Sequence, residues 1–140
     1  MPKKGRIKKY FGTDRSVCYE GLSFELCSKL PEGFFNQATH VVCRDNEGHD
    51  MHMLHAEMLF MWPLTRPLWF FCPTAEEFMA RMPAAVLEAP AGKCRKYTAD
   101  WIWGRTYYNE VCWATGKTPV EALCKCFLKA YKEIKKKEQE

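Results

Sequence analysis

The chain has 140 residues, 47% of them hydrophobic and 14% aromatic, with a formal net charge of +4. That apolar content excludes a disordered chain and suffices for one buried core without covalent staples. No stretch reaches the roughly 18 uncharged apolar residues of a membrane span, because Leu54 to Phe71 is interrupted by Glu57, Pro63, Arg66 and Pro67.

Met1 to Lys9 is basic but leads into no apolar segment of the signal-peptide kind, so a cytoplasmic location is expected. The charge gathers at the two ends: Lys3, Lys4, Arg6, Lys8 and Lys9 at one, Lys129, Lys132, Lys135, Lys136 and Lys137 at the other. Such runs are solvated tails in most proteins and can also hold phosphate backbones. Residues 1–12 therefore read as a basic arm, 13–137 as a single domain and 138–140 as a frayed tail. The eight cysteines, at 18, 27, 43, 72, 94, 112, 124 and 126, are expected to be reduced and mostly packed as small hydrophobes. Cys43 lies beside Val41 and Val42, and Cys126 shares a helix face with Phe127.

In chain order, Leu22, Phe24 and Leu26 alternate with Ser23, Glu25 and Cys27, the period of a short strand with one buried face. Ala38 to Arg44 and His49 to Leu54 are two extended runs joined by Asp45-Asn46-Glu47-Gly48, a hairpin loop in composition. Met58, Leu59 and Met61 suit a short helix over His55 to Trp62 that Pro63 ends. Leu68 to Cys72 is a brief apolar strand, and Thr74-Ala75-Glu76-Glu77 has the pattern of a capping box that opens the next helix. That helix is expected to stop near Met82, before Pro83, and to give way to an alanine- and proline-rich loop.

Tyr97 to Trp103 and Tyr107 to Ala114 flank Gly104-Arg105-Thr106 as a second hairpin. Trp101, Trp103, Tyr107, Val111 and Trp113 are offered to a core or a partner, with Asp100, Asn109 and Glu110 toward water. Gly116 breaks the strand, Thr118 caps, Pro119 takes the first helical position and Glu121 completes a capping box. Ala122, Leu123, Cys126, Phe127, Ala130, Tyr131 and Ile134 recur at helical spacing as one buried stripe, and Lys125, Lys129, Lys132 and Lys136 line the other side. The expected fold is thus α+β, an antiparallel sheet built from hairpins with helices packed on it and a long C-terminal amphipathic helix.

Thr115-Gly116-Lys117-Thr118-Pro119 and the run Val120 to Ala130 resemble the C-terminal end of small phage and prophage proteins of the ABA-sandwich type. They are also similar to the end of HicB-like antitoxin domains. The resemblance covers about a quarter of the chain on its capping and packing residues. It implies a strand-to-helix fold and a viral setting, and carries no catalytic residues.

Three patterns could carry chemistry. His55-Ala56-Glu57 resembles the histidine ligand and glutamate proton shuttle of zinc-dependent nucleobase deaminases, with Cys72 before a second helix. Zinc in that chemistry needs three protein ligands and an activated water, and no second cysteine follows Cys72-Pro73-Thr74-Ala75. His49, His52 and His55 with Cys43 form a second candidate cluster, but a strand period of two sends His49 and His52 to opposite faces. Ala114 to Thr118 ends like a phosphate loop, yet Val111 replaces its first glycine, and capping accounts for the segment. No local nucleophile signature occurs, leaving open a Cys/His pair assembled by folding.

No cofactor is implied and the enzyme question leans to no. The binding-surface candidates are Trp101, Trp103, Arg105, Tyr107, Tyr108 and Trp113, aromatic planes beside a guanidinium. Two function classes follow. One is a non-catalytic phage-type accessory protein that binds a host protein or complex in a bacterial cytoplasm, as in inhibition of a host defence system. The other is a nucleic-acid module or degenerate deaminase-like domain resting on His55, Glu57, Cys72 and the basic ends. A homodimer through the sheet is compatible with either.

Overall fold

A computed structural model describes residues 21–44, 47–61, 68–103 and 110–138. The basic arm, the Asp45-Asn46 turn, Pro63 and the hairpin tip with Arg105, Tyr107, Tyr108 and Asn109 lie outside the described residues, as do the side chains of Trp103, Glu110, Val111 and Lys137. The described residues form an α+β fold with two three-stranded antiparallel sheets. Contacts group them into two compact units, one up to Thr74 and one from Ala75 onward.

The first unit opens with helix α1, Phe24–Ser28, where alternation predicts a strand. The Ser23 hydroxyl accepts the Leu26 N–H at 3.1 Å and so caps a first turn that the alternating pattern hides. Phe24 and Cys27, three residues apart, then fall on one buried helical face. Strands β1 (His40–Arg44) and β2 (Asp50–Leu54) form the expected hairpin, with Gly48 at φ +86° in its loop. Helix α2 (His55–Met61) follows directly, and strand β3 (Trp69–Phe71) pairs with the other side of β1, giving the order β2-β1-β3. Val41, Cys43 and Met53 point to one face, where Met58 of α2, Trp69 and Phe71 pack on them. Phe70 points to the other face and meets Phe24 of α1 edge-on at 5.1 Å.

The second unit begins with α3, Ala75–Arg81, which ends one residue before Met82, as the proline predicts. The segment expected to be a loop contains a further strand, β4 (Val86–Glu88), paired with β5 (Tyr97–Trp103). Three residues are too few to show a period, so the flanking alanines and prolines mask it. β5 pairs in turn with β6 (Glu110–Gly116), and α4 (Pro119–Glu138) covers one face of the β4-β5-β6 sheet. Leu87, Ala99 and Ala114 are registered across that inner face. Val120, Ala122, Leu123, Cys124, Cys126, Phe127 and Ala130 of α4 are buried, with Tyr131 and Ile134 half-buried at the end of the stripe.

The cap of α4 is present as read. Thr118 Oγ1 accepts the Glu121 N–H at 3.2 Å, and the Glu121 carboxylate reaches back to the N–H of Lys117 at 2.7 Å. Cys27, Cys43, Cys72, Cys112, Cys124 and Cys126 are buried and Cys94 is exposed, none of them in a disulfide. Burial pushes Cys43 up to about 11 and Cys126 to about 12, where each is a neutral packing group at physiological pH.

Candidate functional site

The deaminase-like trio is separated by the sheet it belongs to. The His55 ring packs at 5.0 Å from Phe71 and 5.4 Å from Trp69, on the Val41 face. Cys72, one residue beyond Phe71, turns to the opposite side, 3.8 Å from the Leu22 carbonyl. Glu57 Oε1 accepts the N–H of Leu54 and serves the start of α2. His49 lies in the exposed loop beside Glu47 at 3.6 Å, whereas His52 is turned toward Leu22. Among the described residues no three His, Cys, Asp or Glu side chains converge as metal ligands.

Folding does assemble a Cys/His pair. His52 Nε2 lies 2.6 Å from the Leu22 carbonyl, and the imidazole also hydrogen-bonds Cys72, a fully buried thiol. Burial pulls the His52 pKa down, but Cys72, the Leu22 carbonyl and the nearby Asp50 carboxylate together outweigh it and hold it above the ordinary 6.5. Asp50 is itself anchored, accepting from the Phe24 N–H at 3.0 Å and from Arg44 at 3.3 Å. The pair thus ties β2, β3 and the Leu22 segment together inside the first unit. With the folded pKa above the unfolded one, the stability contributed by His52 protonation is complete below about 6.5 and is lost as pH rises through the folded pKa. Urea titrations at pH 5.5 and pH 8 should show the His52→Asn variant losing more stability, relative to wild type, at the acid pH. An equal loss at both would remove the linkage.

The aromatic hairpin divides by register. Trp101 stands opposite Cys112 and Trp113 opposite Asp100, so the two tryptophans project to opposite faces. Grouping them on one side, with Asp100 on the other, is corrected by this pairing. Trp101 belongs to the core: it is buried, its indole N–H donates to the Pro83 carbonyl at 3.1 Å, and its ring stacks on Phe127 at 6.4 Å. Trp113 is 56% exposed. Lys129 lies along it, its Nζ 2.9 Å from the Trp113 carbonyl and 5.2 Å from the ring centroid.

Trp113 has company that the sequence did not mark. Val86, Asp100 and Trp113 are registered in one row across β4, β5 and β6, and Ile102 lies two residues along β5 on the same face. Val86 is 55% and Ile102 54% exposed. Glu88, two residues along β4, and Asp100 supply negative charge on this face, and Lys129, reaching from α4 over the Trp113 ring, adds a positive charge at its β6 edge. An open sheet face that combines an exposed tryptophan, two exposed aliphatic residues and carboxylates is the candidate functional site.

No family model, curated protein or solved structure matches the chain.

Proposed function

We propose that the protein is a non-catalytic accessory protein of phage or prophage type that binds a host protein through the open face of the β4-β5-β6 sheet. The observation that carries this reading is the row Val86–Asp100–Trp113 with Ile102 beside it. Truncating a buried tryptophan at the centre of an interface commonly costs 2 kcal/mol or more, and a surrounding apolar ring strengthens a carboxylate by keeping water away. On its Asp100 and Glu88 side, away from the Lys129 ammonium at Trp113, the face therefore suits a partner that presents an arginine or lysine among apolar side chains. The negative charge of Asp100 and Glu88 disfavours a phosphate backbone on this face. It also disfavours a twofold copy that would bring Asp100 near its own counterpart.

The C-terminal resemblance supports the phage setting, and a bacterial cytoplasm with a host defence protein as the target is the setting that follows from it. No described helix is long and apolar enough to cross a membrane. The deaminase-like alternative has no converging ligands among the described residues to rest on.

The test is capture from bacterial lysate with wild type and with the Trp113→Ala/Ile102→Ala double variant, followed by titration of the partner so identified. Loss of two anchors worth about 2 kcal/mol for the tryptophan alone predicts a Kd at least 30-fold weaker. Undiminished binding by the double variant would move the interface elsewhere. Binding of single-stranded DNA that fades with salt, or a dimer abolished by the same substitutions, would replace the host-protein reading.

A further inference from the structure

We infer that the outer edge of β3 is a second interaction surface, which receives an extended segment of a partner protein carrying an arginine or lysine. The edge itself is read from the ladder. Cys72 N–H donates to the His40 carbonyl at 2.9 Å, so His40 and Cys72 form a hydrogen-bonded pair, and so, two residues on, do Val42 and Phe70. The intervening residues Trp69 and Phe71 then direct their main-chain N–H and C=O groups away from β1. Among the described residues β3 is the last strand on that side of the sheet, and no other strand pairs with it. Two donors and two acceptors stand in a row, the template that a peptide uses when it adds a strand to an edge.

The space beside this edge is already shaped. A cavity of about 580 Å³ runs along β3, walled by Phe35, Trp69 and Phe71, with Ser28, Glu32 and Asn36 among its polar lining residues. That volume is within the range of ligand-sized clefts, and this one is half open to solvent. Glu32 is the sole charged group among the described lining residues, and no ion pair engages it among them. A cationic side chain entering from an added strand would find that exposed carboxylate in the same cleft as aromatic rings, which favour cations on their faces. The main-chain groups thus supply the docking direction, and the cavity selects the side chain. This surface lies wholly in the first unit and does not depend on the sheet-face reading of the second.

The probes are synthetic peptides added to the isotope-labelled full chain: Thr-Val-Arg-Val-Thr, the same peptide with glutamate in place of arginine, the arginine peptide with alternate amides N-methylated, and arginine amide alone. The amide resonances of Trp69 and Phe71 are followed by NMR. The expected result is saturable shifts at both amides with the arginine peptide and at least tenfold weaker binding of the glutamate peptide. Glu32→Gln should remove most of that discrimination without displacing the resonances of Val41 or Met53. Equal binding of the N-methylated peptide would overturn strand addition, since its edge cannot complete the ladder. Arginine amide matching the whole peptide would overturn it too, leaving a cation pocket, and so would an absence of shifts at Trp69 and Phe71.

Discussion

Phe127→Ala should be the most damaging single truncation in the second unit, with a loss of about 3–5 kcal/mol, the usual range for a fully buried phenylalanine. Phe127 is 3% exposed and its ring is the meeting point of three elements. It stacks on Trp101 of β5 at 6.4 Å and 12°, contacts Phe78 of α3 at 6.1 Å, and stacks on Tyr131 one turn further along α4 at 6.0 Å. Removing it leaves Phe78 and Trp101 facing a void. Neither neighbour can close it cheaply, because Phe78 is fully buried and Trp101 is held by its bond to the Pro83 carbonyl. With a urea slope of roughly 2 kcal/mol/M, the unfolding midpoint should fall by about 2 M. Tyr131→Ala, at a half-buried position on the same stripe, should cost less than half as much. A Phe127→Ala midpoint within a few tenths of a molar of wild type would contradict the central place given to this ring.

The stripe that holds Phe127 was legible in the amino-acid order because α4 is long enough to show its period five times over and carries its own start signals, Thr118, Pro119 and Glu121. The β1-β2 hairpin was legible for the same reason, two extended runs around a polar loop. Short elements were not. In α1, the five residues of helix bury Phe24 and Cys27, of which the strand pattern shares only Phe24, and the Ser23 cap is the local signal that favours the helix. In β4, three residues have no period, and the strand exists because β5 offers an edge to pair with. The candidate site shows the same divide. That Trp113 would matter could be read from its residue type, but its neighbours Val86, Asp100 and Ile102 come from the registers of two strand pairs. Register also sends Trp101 inward, since a shift of one residue in pairing would exchange the faces of both tryptophans. The His52–Cys72 pair is likewise non-local, joining strands that are neighbours only through β1.

Gly116→Ala carries the second large expectation, and it decides what the Gly116-Lys117-Thr118 triplet is for. Gly116 is not among the glycines with positive φ, so its backbone alone does not demand glycine. Space does. A Cβ placed there would lie 2.5 Å from the main-chain nitrogen of Ala122, 2.9 Å from the carbonyl carbon of Glu121 and 2.9 Å from its Cβ. Two of these three atoms are backbone in the first turn of α4, which cannot swing aside as a side-chain tip would. Relief requires moving the helix start away from the end of β6. That movement strains the bonds from Lys117 N–H to Glu121 and from Glu121 N–H to Thr118, and the 3.1 Å bond from Ala122 N–H to the Thr118 carbonyl. Overpacking of this kind costs about 1–3 kcal/mol, and a weakened cap adds about 1 kcal/mol. For a unit of this size each kcal/mol lowers the melting temperature by roughly 4–8 °C, so a fall of about 10–30 °C is expected on thermal unfolding. Lys117→Ala, which leaves both cap bonds in place, should change it by no more than a few degrees. A nucleotide loop would behave in the opposite way, with Lys117→Ala abolishing ATP binding. An unchanged melting temperature for Gly116→Ala would remove the close approach of strand and helix as the reason for the glycine.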